Sequence, residues 1–102
     1  MSRTKKPHLS DDHAVALADL FRLLGDPTRL RIVVACLRTP LPVSDIADRL
    51  GLSVSLVSHH LRLLKGARLV RADRQGKQVF YGADDMHVRR MIEDMVTHVG
   101  EH

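Results

Sequence analysis

From Ser10 onward the chain falls into short stretches whose apolar residues recur at helical spacing, punctuated by Gly, Pro and Asp. Ser10-Asp11-Asp12 supplies a helix start, with carboxylates where the helix dipole favours them. Ala14, Leu17, Ala18, Phe21 and Leu24 follow at three- and four-residue steps and form one apolar face, which Gly25 ends. Asp26-Pro27 starts a second helix, with Asp as the N-cap and Pro at the first helical position. Leu30 through Leu37 is apolar nearly all round, so this helix is predicted to be central and buried. Thr39-Pro40-Leu41-Pro42 reads as a loop.

Val43, Ile46, Ala47 and Leu50 then predict a short helix closed by Gly51. Ser53 caps the next helix, which carries Leu56, Val57, His60, Leu61 and Leu64 on its inner side and ends at Gly66. Two short helices around a Gly-containing turn, with small Ala47 at their closest approach, form the helix-turn-helix pattern. Arg68-Leu69-Val70-Arg71-Ala72 and Gln78-Val79-Phe80-Tyr81 suit strands, with turn residues Asp73-Arg74-Gln75-Gly76-Lys77 between them. A hairpin directly after the second helix of such a pair is a wing. Asp84-Asp85 caps a last helix running to about Val99, striped by Val88, Met91, Ile92, Met95 and Val99. The predicted fold is mainly α with a small β-hairpin. It is a winged helix-turn-helix domain over residues 9–102, preceded by a disordered basic arm over 1–8.

Composition narrows the function classes. A chain of 102 residues is one domain, and a core this small leaves self-association as an expected source of stability. Aromatic residues are only 3%, so the core must be aliphatic. No run approaches the roughly 18 apolar residues of a membrane span, and no apolar segment follows the basic N-terminus. A cytoplasmic protein without membrane attachment is expected. The net charge of +4 suits a polyanionic partner but decides nothing alone. Cys36 is the single cysteine, which excludes an internal disulfide or a thiolate-rich metal centre and reads as a buried structural thiol. With no nucleophile elbow, phosphate loop or pocket-forming loop, neither an enzyme nor a small organic substrate is expected.

Leu24-Gly25-Asp26-Pro27-Thr28-Arg29-Leu30-Arg31-Ile32, Val57-Ser58-His59-His60-Leu61-Arg62-Leu63-Leu64 and Arg74-Gln75-Gly76-Lys77 with Tyr81 resemble the ArsR/SmtB family of bacterial metal-sensing repressors. The likeness runs in order through residues 14–102. It implies a homodimer through the first and last helices that binds a double-stranded DNA operator and releases it when metal binds.

The second helix of the helix-turn-helix leaves Ser55, Ser58, His59 and Arg62 facing outward, suited to phosphate and base edges. A solvated polar face is the plainer account of the same residues. The resemblance places Val54, Ser55, Ser58 and His59 at operator contacts, while Arg74 and Lys77 on the wing would add phosphate contacts. His60 is expected to bond within the domain. A two-fold dimer implies a palindromic operator with half-sites one helical turn apart.

The last helix holds Asp85 and His87 at one end and His98, Glu101 and His102 at the other. These donors suit zinc, cobalt and nickel. His87 and His98 share a face but stand about 16 Å apart along a helix, so one chain cannot hold one ion with both. An antiparallel partner helix brings Asp85 and His87 of one subunit to His98 and Glu101 of the other. His102 is an alternative to Glu101, and His8 or His13 leaves room for a higher-coordinate nickel or cobalt site. The pattern also resembles the last-helix zinc site of the family, which favours zinc. The resemblance further implies a coupling path from the His98 ring to a backbone carbonyl around Arg68. The thiol-based site of arsenic, cadmium and lead sensors has no counterpart in Leu41-Pro42-Val43-Ser44-Asp45. A metal-independent regulator of the same fold is the alternative.

Overall fold

Capping chemistry sets most helix boundaries in the computed structural model, which describes residues 8–101. Ser10 Oγ accepts from His13 N at 3.1 Å and opens α1 (Asp11–Leu24). The Asp26 carboxylate accepts from Arg29 N at 2.9 Å and opens α2 (Pro27–Ala35). α3 (Val43–Leu50) begins after Pro42 and ends at Gly51, whose φ of 67° allows Leu52 N to donate back to Ala47 O. Ser53 Oγ accepts from Leu56 N to open α4 (Val54–Gly66), and Asp85 Oδ1 accepts from Val88 N to open α5 (Met86–Gly100). Each such cap is worth about 1 kcal/mol. Residues 1–7 of the expected basic arm, and His102, lie outside the described residues.

The sheet has three antiparallel strands in the order β1 (Leu41–Pro42), β3 (Gln78–Ala83), β2 (Val70–Gln75). Leu41 pairs with Tyr81, so the stretch read as a loop contributes an edge strand. Two residues are too few to show alternation, and Pro42 is tolerated because an edge strand need not donate on both sides. The hairpin is longer than expected. Gln75 pairs with Gln78, which leaves only Gly76-Lys77 as the turn, Gly76 at φ 64°. The expected turn residues Asp73, Arg74 and Gln75 belong to β2.

Ile32 and Val33 of α2, Ile46 of α3, and Val57, Leu61 and Leu64 of α4 are buried in one aliphatic core, capped by Leu69 and Val70 of the wing. Two apolar expectations fail. Leu30 and Val34 are 38% and 40% exposed, so α2 is not buried on every side. An all-apolar helix gives periodicity no polar face by which to orient it. Leu56 is 40% exposed, one residue and about 100° round the helix from inward-facing Val57.

The end of α4 carries the one positive φ outside glycine among the described residues. Arg68 N donates to Lys65 O and Leu69 N to Leu64 O, with Arg68 at φ 62°. This is a Schellman stop two residues beyond the glycine expected to provide it. A side chain in that conformation costs about 1 kcal/mol. Arg68→Gly is therefore expected to raise unfolding stability by up to about 1 kcal/mol in urea titration, with an unchanged m-value. No gain would mean that the arginine side chain makes compensating contacts.

Candidate functional site

The core holds α4 by Val57, Leu61 and Leu64, which turns the other side of the helix to solvent. Val54, Ser55, His59 and Arg62 are exposed there, and Ser58 is half-buried. Arg74, opposite Val79 in the hairpin, and Lys77, in its turn, are both exposed. The polar α4 residues thus lie on one outer surface, and the wing cations end the hairpin that follows it. Short hydroxyls with flanking cations suit close approach to a phosphate backbone.

His60 points elsewhere. Its Nδ1 accepts a hydrogen bond from Arg29 Nε of α2 at 3.2 Å, and its ring lies 5.6 Å from that of His59. Burial, the Arg29 charge and His59 hold the His60 pKa below its ordinary value, with Asp26 opposing them. A second cross-link joins Arg38, after α2, to α5: Arg38 Nε donates to Glu93 Oε2 at 2.9 Å, and Arg89 stands 3.5 Å from the same oxygen. The Arg38 hydrogen bond, chiefly, holds the Glu93 carboxyl below the usual range. Neither link was legible in the sequence beyond His60 bonding inside the domain. Partners 31 and 55 positions apart leave no periodic trace.

The α5 donors remain divided within one chain. Asp85 precedes the helix as its cap, His87 lies in its first turn, and His98 and Glu101 lie at its far end. His87 and Glu101 are exposed, as is His98. Among the described residues no three His, Cys, Asp or Glu side chains gather within reach of one ion. Cys36 supplies no substitute. It is buried, its Sγ 3.4 Å from Ile32 O, and burial pushes the thiol up to about 11, so it stays protonated at neutral pH.

Between α1 and α5 runs an apolar groove of about 440 Å³, lined by Phe21, Leu24, Leu30, Met91, Ile92 and Met95 among others. A smaller hollow of about 140 Å³ continues past Leu17, Leu20 and Val88 to His87. Phe21, Met95 and Val99 are 52%, 54% and 70% exposed, which leaves a contiguous apolar face on the surface.

A core-anchored helix with a polar outer face, followed at once by a two-stranded hairpin, defines a winged helix-turn-helix DNA-binding domain. The profile of the bacterial regulatory protein arsR family matches residues 26–72. A transcriptional repressor SmtB homologue from Synechocystis sp. is 40% identical over 93 residues, which cover 91% of this chain and 70% of that protein. The chain belongs to the ArsR/SmtB family of metal-sensing transcriptional repressors. Its relatives are regulators, not enzymes. Among solved structures, the cadmium metal-sensor CMTR from Mycobacterium tuberculosis is similar at TM-score 0.70 and 45% identity, covering 78% of this chain and 82% of that one. A homodimeric winged helix-turn-helix DNA-binding domain from Mycobacterium bovis is similar at TM-score 0.80 and 26% identity, covering 95% and 93%. No helix of the described residues is long and apolar enough to cross a membrane.

Proposed function

We propose that this chain acts in the cytoplasm as a homodimeric repressor that holds a palindromic operator when metal-free and releases it when zinc binds between its subunits. The observation that carries the reading is the division of the α5 donors beside an open apolar face. His87 stands about 16 Å from His98 along α5, with Asp85 and Glu101 lying beyond them at either end, and the groove between α1 and α5 exposes Phe21, Met95 and Val99. A second copy, its α5 running the other way, covers that face and supplies the missing donors, giving two equivalent sets of two nitrogens and two carboxylates. Bound zinc would tie the two α5 helices together and so bias the spacing of the two α4 helices. Nitrogen and oxygen donors suit zinc, cobalt or nickel, and the buried, protonated Cys36 argues against a thiophilic metal.

The test uses a fluorescent duplex of the DNA immediately upstream of the protein's own coding sequence. Anisotropy titrations with zinc, cobalt, nickel and cadmium added in turn should show zinc weakening binding by about 5- to 150-fold. Tight binding indifferent to every metal would leave a metal-independent regulator. We expect Val54, Ser55, Ser58, His59 and Arg62 to meet the operator, with Arg74 and Lys77 on flanking phosphates. Arg74→Ala and Lys77→Ala should each weaken operator and random duplex alike, and reduce the slope of log affinity against log salt by about one per site. An unchanged slope would remove the wing from the interface.

A further inference from the structure

We infer that His60 is a positioning residue for operator binding: by accepting a hydrogen bond from Arg29 it fixes α4 to the corner where α1 meets α2, and acid releases that hold. The inference rests on α4 being the DNA-reading helix.

A guanidinium has donors and no acceptor, so a ring nitrogen 3.2 Å from Arg29 Nε must be unprotonated. A proton there replaces an acceptor by a donor and sets two cations against each other. Arg29 is itself anchored, because its backbone N donates to the Asp26 carboxylate that caps α2, one residue after the Gly25 that ends α1. The chain Asp26–Arg29–His60 therefore runs from the α1–α2 corner to the middle of α4. α1 contributes the apolar face of the groove, and α4 contributes the operator contacts. Two recognition helices can match two half-sites only when each is held at a fixed angle to the dimer helices. His60 supplies that hold from a half-buried position on α4, through Arg29 of α2.

The charged and titratable groups around the ring are Arg29 and Asp26 from α2 and its cap, and His59 from α4. Burial, the Arg29 charge and the influence of His59 outweigh Asp26, so the folded chain keeps the ring neutral to lower pH than the unfolded chain does. The unfolded chain then binds more protons between these two values. The contribution of the link is complete above the ordinary value of 6.5 and is lost as pH falls from there toward the lowered folded value.

Metal-free protein is titrated against the upstream duplex at pH 8 and at a series of lower values at constant salt, alongside His60→Asn and His60→Ala. The asparagine Oδ1 takes the place of the ring Nδ1 and accepts from Arg29 at every pH, so His60→Asn should match wild type at pH 8. Once the His60 ring protonates, wild type should lose about five- to tenfold relative to His60→Asn, and His60→Ala should be weaker by a similar factor already at pH 8. His59 is present in all three proteins. Identical pH profiles for wild type and His60→Asn, or a His60→Asn protein as weak as His60→Ala at pH 8, would overturn the inference. Imidazole nitrogen shifts of the wild-type protein give an answer that needs neither a variant nor DNA. The His60 proton should sit on Nε2 at pH 7.5, and a proton on Nδ1 would overturn the inference even if no duplex binds.

Discussion

His98→Gln is expected to abolish zinc-driven release of the operator while leaving metal-free operator binding within a few-fold of wild type. Under the proposed arrangement His98 supplies one of four donors to each intersubunit site. Loss of partners that merely support a ligand already costs 10- to 100-fold in metal affinity, so loss of a ligand should exceed about 100-fold. Glutamine keeps the polarity and nearly the length of the side chain at an exposed helical position, so α5 itself should be undisturbed. The substitution would also cut the coupling path that the family resemblance implies, from the second ring nitrogen of His98 to a backbone carbonyl around Arg68. Arg68 forms the left-handed stop of α4 and leads directly into the wing, so a pull there would act on both elements proposed to meet the DNA. Zinc titrations read by anisotropy, paired with zinc affinity from a competing chelator, separate the two effects. Undiminished release would remove His98 from both roles. Tight zinc binding without release would keep the ligand assignment and localise the failure to the coupling path.

What the sequence revealed follows from how local the physics is. Ser10, Asp26, Ser53 and Asp85 are short polar residues that satisfy backbone donors three positions on, so four helix starts were legible from local sequence. The edge strand Leu41–Pro42 was not, because its partner lies some forty residues away in β3. Arg68 was missed because nothing in its side chain favours a positive φ, whereas neighbouring Gly66 does. The exposed Leu30 and Val34 were hidden by the uniform apolarity of α2. The candidate metal set is a mixed case. Its residue types and their spacing are plain in the sequence, and α5 has the length and continuity that keep His87 and His98 apart. Among the described residues a single chain does not bring them together, and under the proposal closing the set depends on a surface that both copies share.

That shared surface gives the second large effect: Met95→Asp is expected to dissociate the dimer and to lower operator affinity by more than 100-fold. Met95 lines the groove between α1 and α5 with Phe21 and Ile92, yet is 54% exposed in one chain. A carboxylate there is hydrated in the monomer, so the monomer should fold with unchanged helicity. In the dimer it would be desolvated against an apolar wall with no partner, at a cost of several kcal/mol. A two-fold interface carries the substitution twice, which doubles that cost. Light scattering after size exclusion should show a mass near that of one chain at about 10 μM protein, with Met95→Leu remaining dimeric as the control. Operator binding falls with dimerisation because a monomer holds one half-site and loses the advantage of linked sites. Zinc affinity should fall in the same variant, since Asp85 and His87 would no longer meet His98 and Glu101. A Met95→Asp protein that stays dimeric would place the interface on another face, and tight zinc binding by its monomer would refute the divided site.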